Sequence, residues 1–273
     1  MNVFGGSRRV AKGPRGLRGF PGKDALELCN YLPNTISRCL RENDQIGSFV
    51  LTSPEDCDIV SGFVQKWKSK RIGIPPQEHF KAEKASKLSK IKDKEKYALN
   101  FPGVYRNNYL DIFTTLRAYG YICITFRTNS DVAQTILHNA QGSERGHLYH
   151  EITVTGTDVS IHGRRDKKIA VERIPCDTKK WTTLYLEWSL VGHSPLYNAN
   201  ITYIINNDPN RQGSFHLEQS VMSFPGYVLG DRGAGYESQP FSGQVHALEN
   251  YLSDHPIPVL FKNLVITKQM ITM

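Results

Sequence analysis

Hydrophobic and polar residues alternate with a period of two in short runs over much of residues 97–273. In the run 121–128, for example, Ile122, Ile124 and Phe126 fall on one side. Such alternation is typical of strands with one buried face, and Gly, Asn, Asp and Pro separate the runs. The pattern therefore predicts two facing antiparallel sheets in a β-sandwich. The runs that predict strands are 121–128, 148–154, 159–162, 169–174, 183–189, 200–206, 215–217, 227–229, 243–251 and 260–267.

Residues 25–70 have a helical period instead, interrupted by one short predicted strand at 48–51. Ser53-Pro54-Glu55-Asp56 is a strong helix start, because Ser is a good N-cap, Pro suits the first helical position and an acid follows. An apolar stripe at helical spacing follows it. Its members are Ile59, Val60, Phe63, Val64 and Trp67. We therefore expect a small helical region over 25–70 that contains an amphipathic helix over 53–69.

The remaining two segments lack the composition of a packed core. Residues 71–96 are Lys-rich, which predicts a linker or an exposed helix. Residues 1–24 are basic and carry glycine at every third position, the spacing of a collagen triple helix. These glycines are Gly13, Gly16, Gly19 and Gly22, and the repeat stops at Ala25. The segment is expected to be a disordered collagen-like arm, with a homotrimeric stub as the open alternative.

Charge and cysteine content exclude several classes of function. The chain carries a net charge of +8, but residues 97–273 hold equal numbers of basic and acidic residues. A neutral folded part is not expected to bind nucleic acid. The five cysteines are widely spaced and form no CxxC pair, so no zinc site is predicted. The sequence shows neither a signal peptide nor an apolar run of membrane-spanning length, which predicts cytoplasmic or nuclear synthesis.

Three segments, in order, resemble the laminin-G/concanavalin-A-like family. They are residues 121–128, 181–188 (Trp-Thr-Thr-Leu-Tyr-Leu-Glu-Trp), and Leu229-Gly230-Asp231 followed by 241–251 (Phe-Ser-Gly-Gln-Val-His-Ala-Leu-Glu-Asn-Tyr). The resemblance implies a mainly β, antiparallel jelly-roll sandwich over 97–273, preceded by the helical region and the arm. It also implies structural roles for Trp181, Trp188, Phe241 and Gly243. The whole arrangement is similar to collagen-like proteins of animal viruses and Polinton/Maverick transposons, which implies a virion-associated fibre.

Candidate chemistry is sparse, and no catalytic residue is predicted. A glycosidase of this fold needs two carboxylates across a cleft. The central strand offers only Glu187, and we place Glu249 and Asp254 at a strand end and beyond it. The residues expected to bind a ligand lie in loops at the sandwich rim: His147, Arg164, Asp231, Arg232 and Tyr236. The family resemblance also makes Asp231 a candidate calcium ligand, and no other cofactor is expected.

These features predict a non-enzymatic attachment protein whose lectin-like head binds a glycan or a protein. Two alternatives stay open. One is an intracellular glycan- or partner-binding protein with a disordered tail, and the other is an active or degenerate glycoside hydrolase.

Overall fold

The computed structural model describes residues 47–72, 80–82, 87–93, 96–103, 110–112, 118–138, 150–165, 168–193, 196–221, 227–232, 239–253 and 256–257. Within these ranges the chain forms sixteen strands and one short 3-10 helix at Pro209–Arg211. The strands are β1 (Gly47–Val60), β2 (Phe63–Ile72), β3 (Phe80–Ala82), β4 (Ser89–Asp93), β5 (Lys96–Pro102), β6 (Leu110–Ile112), β7 (Tyr119–Thr128), β8 (Gln134–His138), β9 (His150–Val154), β10 (Asp158–Arg165), β11 (Lys168–Pro175), β12 (Thr182–His193), β13 (Leu196–Ile205), β14 (Gln212–Val221), β15 (Tyr227–Leu229) and β16 (Ser242–Ser253).

All strand pairs are antiparallel, and the strands follow one hydrogen-bonded path. The order is β11-β10-β9-β8-β15-β6-β3-β2-β1-β16-β7-β12-β13-β14, with β4 and β5 attached beside β16. The path folds over, so that β7, β12, β13 and β16 form one layer and β8 to β11 the facing layer. The predicted antiparallel β-sandwich is confirmed.

The core lies between these layers and is built by the alternation in the sequence. Ile124, Leu186 and Leu248 point into it from one layer, and Ile136 and Ile152 from the other. Among the residues expected to be structural, Trp188, Phe241 and Gly243 are also buried. The rings of Phe101 and Phe126 meet Phe241 edge-on. Because aliphatic and aromatic side chains from both layers are removed from water here, this cluster supplies the main stabilisation of the fold.

The helix predicted over 53–69 is wrong, because β1 and β2 form an antiparallel hairpin over these residues. Its two-residue turn is Ser61-Gly62, with φ of 51° and 83°. A Gly in the left-handed region suits the tight turns that connect twisted strands. β1 also pairs with β16 over Gly47 to Thr52. This pairing stabilises the extended form of a segment whose capping signals favour a helix, a contribution that local sequence does not reveal.

Two strands also lie within residues 71–96, where a linker or an exposed helix was predicted. β3 pairs with β2 and β6, and β4 pairs with β5. Leu88 is buried in the core, and its carbonyl accepts a hydrogen bond of 2.8 Å from the N–H of Val64. The linker prediction is wrong at these residues, because strand pairing and one buried leucine compensate for the polar composition.

The domain boundaries at residues 24, 70 and 96 stay predictions. The collagen-like glycines at 13–22, the rest of the helical region before residue 47 and the predicted strand at 260–267 all lie outside the described residues. No helix in the described part of the chain is long and apolar enough to cross a bilayer.

Candidate functional site

Of the five predicted binding residues, the structure describes Asp231, Arg232 and the backbone of Arg164. Arg164 lies in β10, where it pairs with Ile169 of β11. Asp231 and Arg232 follow β15 directly. His147 and Tyr236 lie outside the described residues. Side-chain contacts are therefore described only for the two candidates that follow β15.

Asp231 is buried, and its carboxylate binds the backbone. Its Oδ1 accepts hydrogen bonds from the N–H of Arg232 at 2.7 Å and from the N–H of Gln239 at 2.9 Å. The same carboxylate oxygen thus connects the backbone at residue 232 to the backbone at residue 239. Among the described residues, no three His, Cys, Asp or Glu side chains cluster as a metal site requires. Asp231 therefore fixes the backbone at residues 232 and 239, and its role as a calcium ligand stays a prediction.

Arg232 forms a bidentate ion pair with Glu151 of β9. Its Nε donates to Glu151 Oε1 at 2.5 Å and its Nη2 to Oε2 at 3.1 Å. Thr135 of β8 also donates its hydroxyl to Oε1, at 2.6 Å. The side chain of Glu151 is 1% exposed and that of Arg232 21%. Arg232 thus makes an internal contact that connects the segment after β15 to strand β9.

Glu151 was not singled out from the sequence. The one available signal was a carboxylate within the apolar alternation of residues 148–154, and its partner lies 81 positions away. A buried carboxylate in a strand is stabilised by a cation or by hydrogen bonds, but the sequence does not say which residue supplies them.

His138 at the end of β8 is buried beside this ion pair. Burial lowers the pKa of its imidazole from 6.5 to about 4, and the Arg232 charge acts in the same direction while Glu151 and Asp231 oppose it. The unfolded chain therefore binds a proton more readily than the folded chain between these two values.

We expect His138 to make the fold sensitive to acid. Because its folded pKa is depressed, its contribution is present above pH 6.5 and is lost as the pH falls towards 4. This corresponds to a loss of about 2 kcal/mol of unfolding free energy between pH 7 and pH 5. Urea denaturation at both pH values measures it. His138→Gln cannot titrate and should reduce the difference by that amount, whereas an unchanged difference would contradict the assignment.

A stack of three tyrosines lies in the layer of β7, β12, β13 and β16, on the face opposite to the core cluster. The ring of Tyr121 of β7 lies 5.3 Å from that of Tyr185 of β12 and 5.7 Å from that of Tyr251 of β16. All three are buried. Burial, with Glu249 as the next cause, raises the pKa of Tyr121 well above 10, and burial with Glu187 raises that of Tyr185. The phenols of Tyr121 and Tyr185 therefore stay protonated at neutral pH, and that of Tyr185 donates to Glu187.

Glu187 and Glu249 both face this stack, which corrects the expected position of Glu249. The residue lies inside β16, opposite Cys123 of β7, and not at a strand end. The strand register separates its backbone from that of Glu187 by about 12 Å. Glu187 accepts a 2.9 Å hydrogen bond from the Tyr185 hydroxyl, and Glu249 is buried. Glu187 is thus held by a hydrogen bond and Glu249 by burial, and the two carboxylates do not face each other across an open cleft.

Two groups of rings and cations lie at one end of the same layer, on opposite faces of the sheet. Lys90 and Lys92 of β4 lie over the ring of Tyr97 of β5, with Nζ 4.4 and 5.7 Å from its centroid. The carbonyl of Tyr97 contacts His246 Nδ1 of β16 at 2.8 Å. The ring of His246 meets Trp181 edge-on at 6.0 Å.

Arg127 of β7 packs on the ring of Trp181. Its guanidinium lies 4.9 Å from the Trp181 ring centroid, and its Nε donates to Gln244 Oε1 at 2.5 Å. We call Arg127, Trp181, Gln244 and His246 the aromatic–cation band. Gln244 is buried, and the other three members are half-buried. The strand register places Tyr97 with its two lysines on the other face of the sheet.

The observed position of Trp181 corrects the role predicted for it from the sequence. The sequence indicated a core residue between the layers, but its indole is half-buried and lies outside the core cluster. It precedes the first residue of β12 and packs against Arg127 and His246 instead. A large ring at the surface, contacted by a cation, is typical of a binding platform as well as of a structural contact.

A shallow groove of about 400 Å³ lies among the loops around Asp177. Burial raises the pKa of the Cys176 thiol in its wall to about 11, so the thiol is protonated at neutral pH. Lys179 is paired with Asp131 at 2.7 Å. The groove has the size of a small-ligand site and competes with the band as the place where a ligand binds. It is lined by Gly156, Thr157, Pro175, Cys176, Asp177, Lys179 and Arg211.

No protein-family model and no curated protein matches this chain. Solved structures do match it. The CBM40 domain of the Ruminococcus gnavus IT-sialidase is 15% identical with a TM-score of 0.41, over 55% of this chain and 83% of its own. The heptameric SAP-like pentraxin of Limulus polyphemus is 17% identical with a TM-score of 0.41, over 58% of this chain and 76% of its own.

Botulinum neurotoxin type C matches over 84% of this chain, with 9% identity and a TM-score of 0.52. The match covers 52% of that toxin chain, so this chain spans about half its length. The likeness shows that the two chains share a fold.

Proposed function

We propose that this chain is a non-enzymatic carbohydrate-binding domain and that the aromatic–cation band is its binding surface. The observation that carries the proposal is the half-buried indole of Trp181, which the guanidinium of Arg127 and the imidazole of His246 contact. The amide oxygen of Gln244 accepts a hydrogen bond from the same Arg127. Sugar-binding sites combine planar rings with a few polar groups in this way.

The geometry of the band suits a short oligosaccharide. Its members belong to β16, β7 and the residue before β12, which are neighbours in the sheet. Three strands at their usual spacing span about 10 Å, enough for about two linked sugars. One member is Arg and none is a carboxylate, which favours glycans that carry anionic groups.

The fold supports the same class of function. The neurotoxin of similar fold enters cells by interacting with two ganglioside molecules, whose headgroups are glycans. The carboxylates of the described face support a non-enzymatic role, because Glu249 is buried and Glu187 is bound by Tyr185. The narrower prediction of a virus-like fibre depends on the collagen-like arm and stays a prediction.

We expect Trp181→Ala to weaken glycan binding about tenfold, because one ring contact is worth about 1.5 kcal/mol. A glycan array with neutral, sialylated and sulfated members identifies the ligand, and calorimetry then measures the affinity. Arg127→Gln should weaken binding of anionic members selectively, because it removes the cation of the band. Circular dichroism of both variants separates lost binding from lost folding.

The matched control changes the cations of the competing groove. Lys179→Ala with Arg211→Ala should bind the ligand as the parent protein does. If this control loses binding while the band variants keep it, the groove is the site. If no glycan binds the parent, the proposed function is wrong.

A further inference from the structure

The strand register places two more polar side chains in line with the aromatic–cation band. Gln244 of β16 pairs with Arg127 of β7 on one side and with Asn100 of β5 on the other. Asn100 in turn pairs with Ser89 of β4. Because directly paired residues of antiparallel strands point to the same face of the sheet, Asn100 and Ser89 share the face of the band.

The burial of their neighbours supports this placement. Leu99 and Phe101 on either side of Asn100 belong to the hydrophobic core, and so does Leu88 just before Ser89. Successive side chains of a strand alternate between the two faces, so Asn100 and Ser89 point away from the core. Both are half-buried and thus within reach of a ligand.

The same face is closed along one side of this row of residues. The next outward-pointing residues of β5, β7 and β12 are Ala98, Thr125 and Thr183, which are 0%, 0% and 2% exposed. The hydroxyls of Thr125 and Thr183 also bond to each other at 2.9 Å. A ligand on the band therefore cannot continue along the strands past Thr125, whereas the direction across the strands leads to Asn100 and Ser89.

The two side chains have the chemistry of a sugar contact. An amide and a hydroxyl both donate and accept hydrogen bonds, as sugar hydroxyls require. No hydrogen bond joins the side chain of Asn100 or Ser89 to another described residue. The row from Ser89 to Trp181 follows β4, β5, β16, β7 and the start of β12, which are neighbours in the sheet. At the usual strand spacing it spans about 19 Å, about twice the length of the band.

On the basis of the proposed glycan binding, we infer that the binding surface extends over Asn100 to Ser89 and takes an oligosaccharide of about four sugars that lies across the strands. Arg127 binds an anionic residue of this chain and Trp181 stacks on a sugar ring. Asn100 and Ser89 bind hydroxyl groups of the sugars farther along. The closed side at Thr125 and Thr183 sets the direction in which the oligosaccharide lies.

Calorimetry with the full chain tests this extension by ligand length. The probes are the tightest-binding member of the glycan array that has at least four sugars, and its two-sugar fragment that keeps the anionic residue. The parent should bind the longer probe at least about fivefold more tightly, since a net hydrogen bond is worth a few-fold in affinity. Asn100→Ala with Ser89→Ala should remove most of this gain and leave the affinity for the two-sugar fragment unchanged.

The matched control is Lys90→Gln with Lys92→Gln, because these residues alternate with Ser89 along β4 and point to the other face. It should bind both probes as the parent does. Equal affinity of the parent for the two lengths, no array ligand longer than two sugars, or equal losses in the control would each overturn the extension. The length comparison on the parent decides even if the Asn100 and Ser89 variant does not fold. The proposed function is judged separately, by whether Trp181→Ala weakens binding of the two-sugar fragment.

Discussion

Arg232→Met is expected to lower the free energy of unfolding by about 3–5 kcal/mol, among the largest effects of any single substitution at a described residue. The guanidinium makes a bidentate contact with Glu151, whose side chain is almost completely buried. Methionine fills a similar volume but removes the charge, so the carboxylate stays in the protein interior without its bidentate cation. Leaving an uncompensated buried charge costs far more than the pair itself contributes.

A double variant separates that cost from the loss of packing. Glu151→Leu with Arg232→Met removes both charges and should recover most of the lost stability, because two apolar side chains can replace a buried ion pair. Arg232→Lys keeps a charge but not the planar two-point contact, so it should lie in between. Urea denaturation at pH 7 measures all three. Equal stability of the single and double variants would show that the ion pair is not the cause.

Gly120→Val is expected to cost about 3 kcal/mol or more, because the site has no room for a side chain. Gly120 of β7 lies directly opposite Trp188 of β12. A Cβ on Gly120 would lie 2.6 Å from Cε2 and 2.8 Å from Cη2 of that indole, and closer still to Cζ2. The indole is fully buried in the core, so it cannot turn outwards. Either the strands separate or the tryptophan leaves its rotamer.

Combining Gly120→Val with Trp188→Leu tests this contact. The smaller side chain provides the missing space, so the double variant should be less destabilised than the sum of the two single changes. Gly62→Asn is the control, because a Cβ there meets nothing within 4 Å and Asn tolerates a left-handed turn position. Thermal unfolding followed by circular dichroism measures the series. Additive single and double effects would contradict the close approach.

The strand pattern was predictable from the sequence because one physical rule generated it. Where one face of a strand enters the core, the side chains alternate, and the predicted run 227–229 coincides with β15. The rule fails for the β1–β2 hairpin, where β-branched and aromatic residues at helical spacing also suit a strand. Pairing of β1 with β16 decides between the two, and that partner lies about 200 residues away.

The candidate site was less predictable, because its residues come from distant parts of the chain. Asp231 and Arg232 were singled out, yet both hold the fold together through contacts with the backbone and with Glu151. Trp181 was noticed as a structural aromatic, but nothing in its neighbourhood indicated that Arg127 and His246 would surround it. Cross-strand neighbours follow from register, which a single sequence specifies only weakly.

By itself, the sequence determined that the C-terminal part is an antiparallel sandwich and which faces of its strands are buried, since hydrophobic alternation is a local property. The tertiary structure alone decided that residues 53–69 form a hairpin, that Glu151 pairs with Arg232, and that four residues form the aromatic–cation band. Each of these depends on which strands become neighbours. Strand pairing is a long-range choice, made by the free energy of the whole core and not by any one segment.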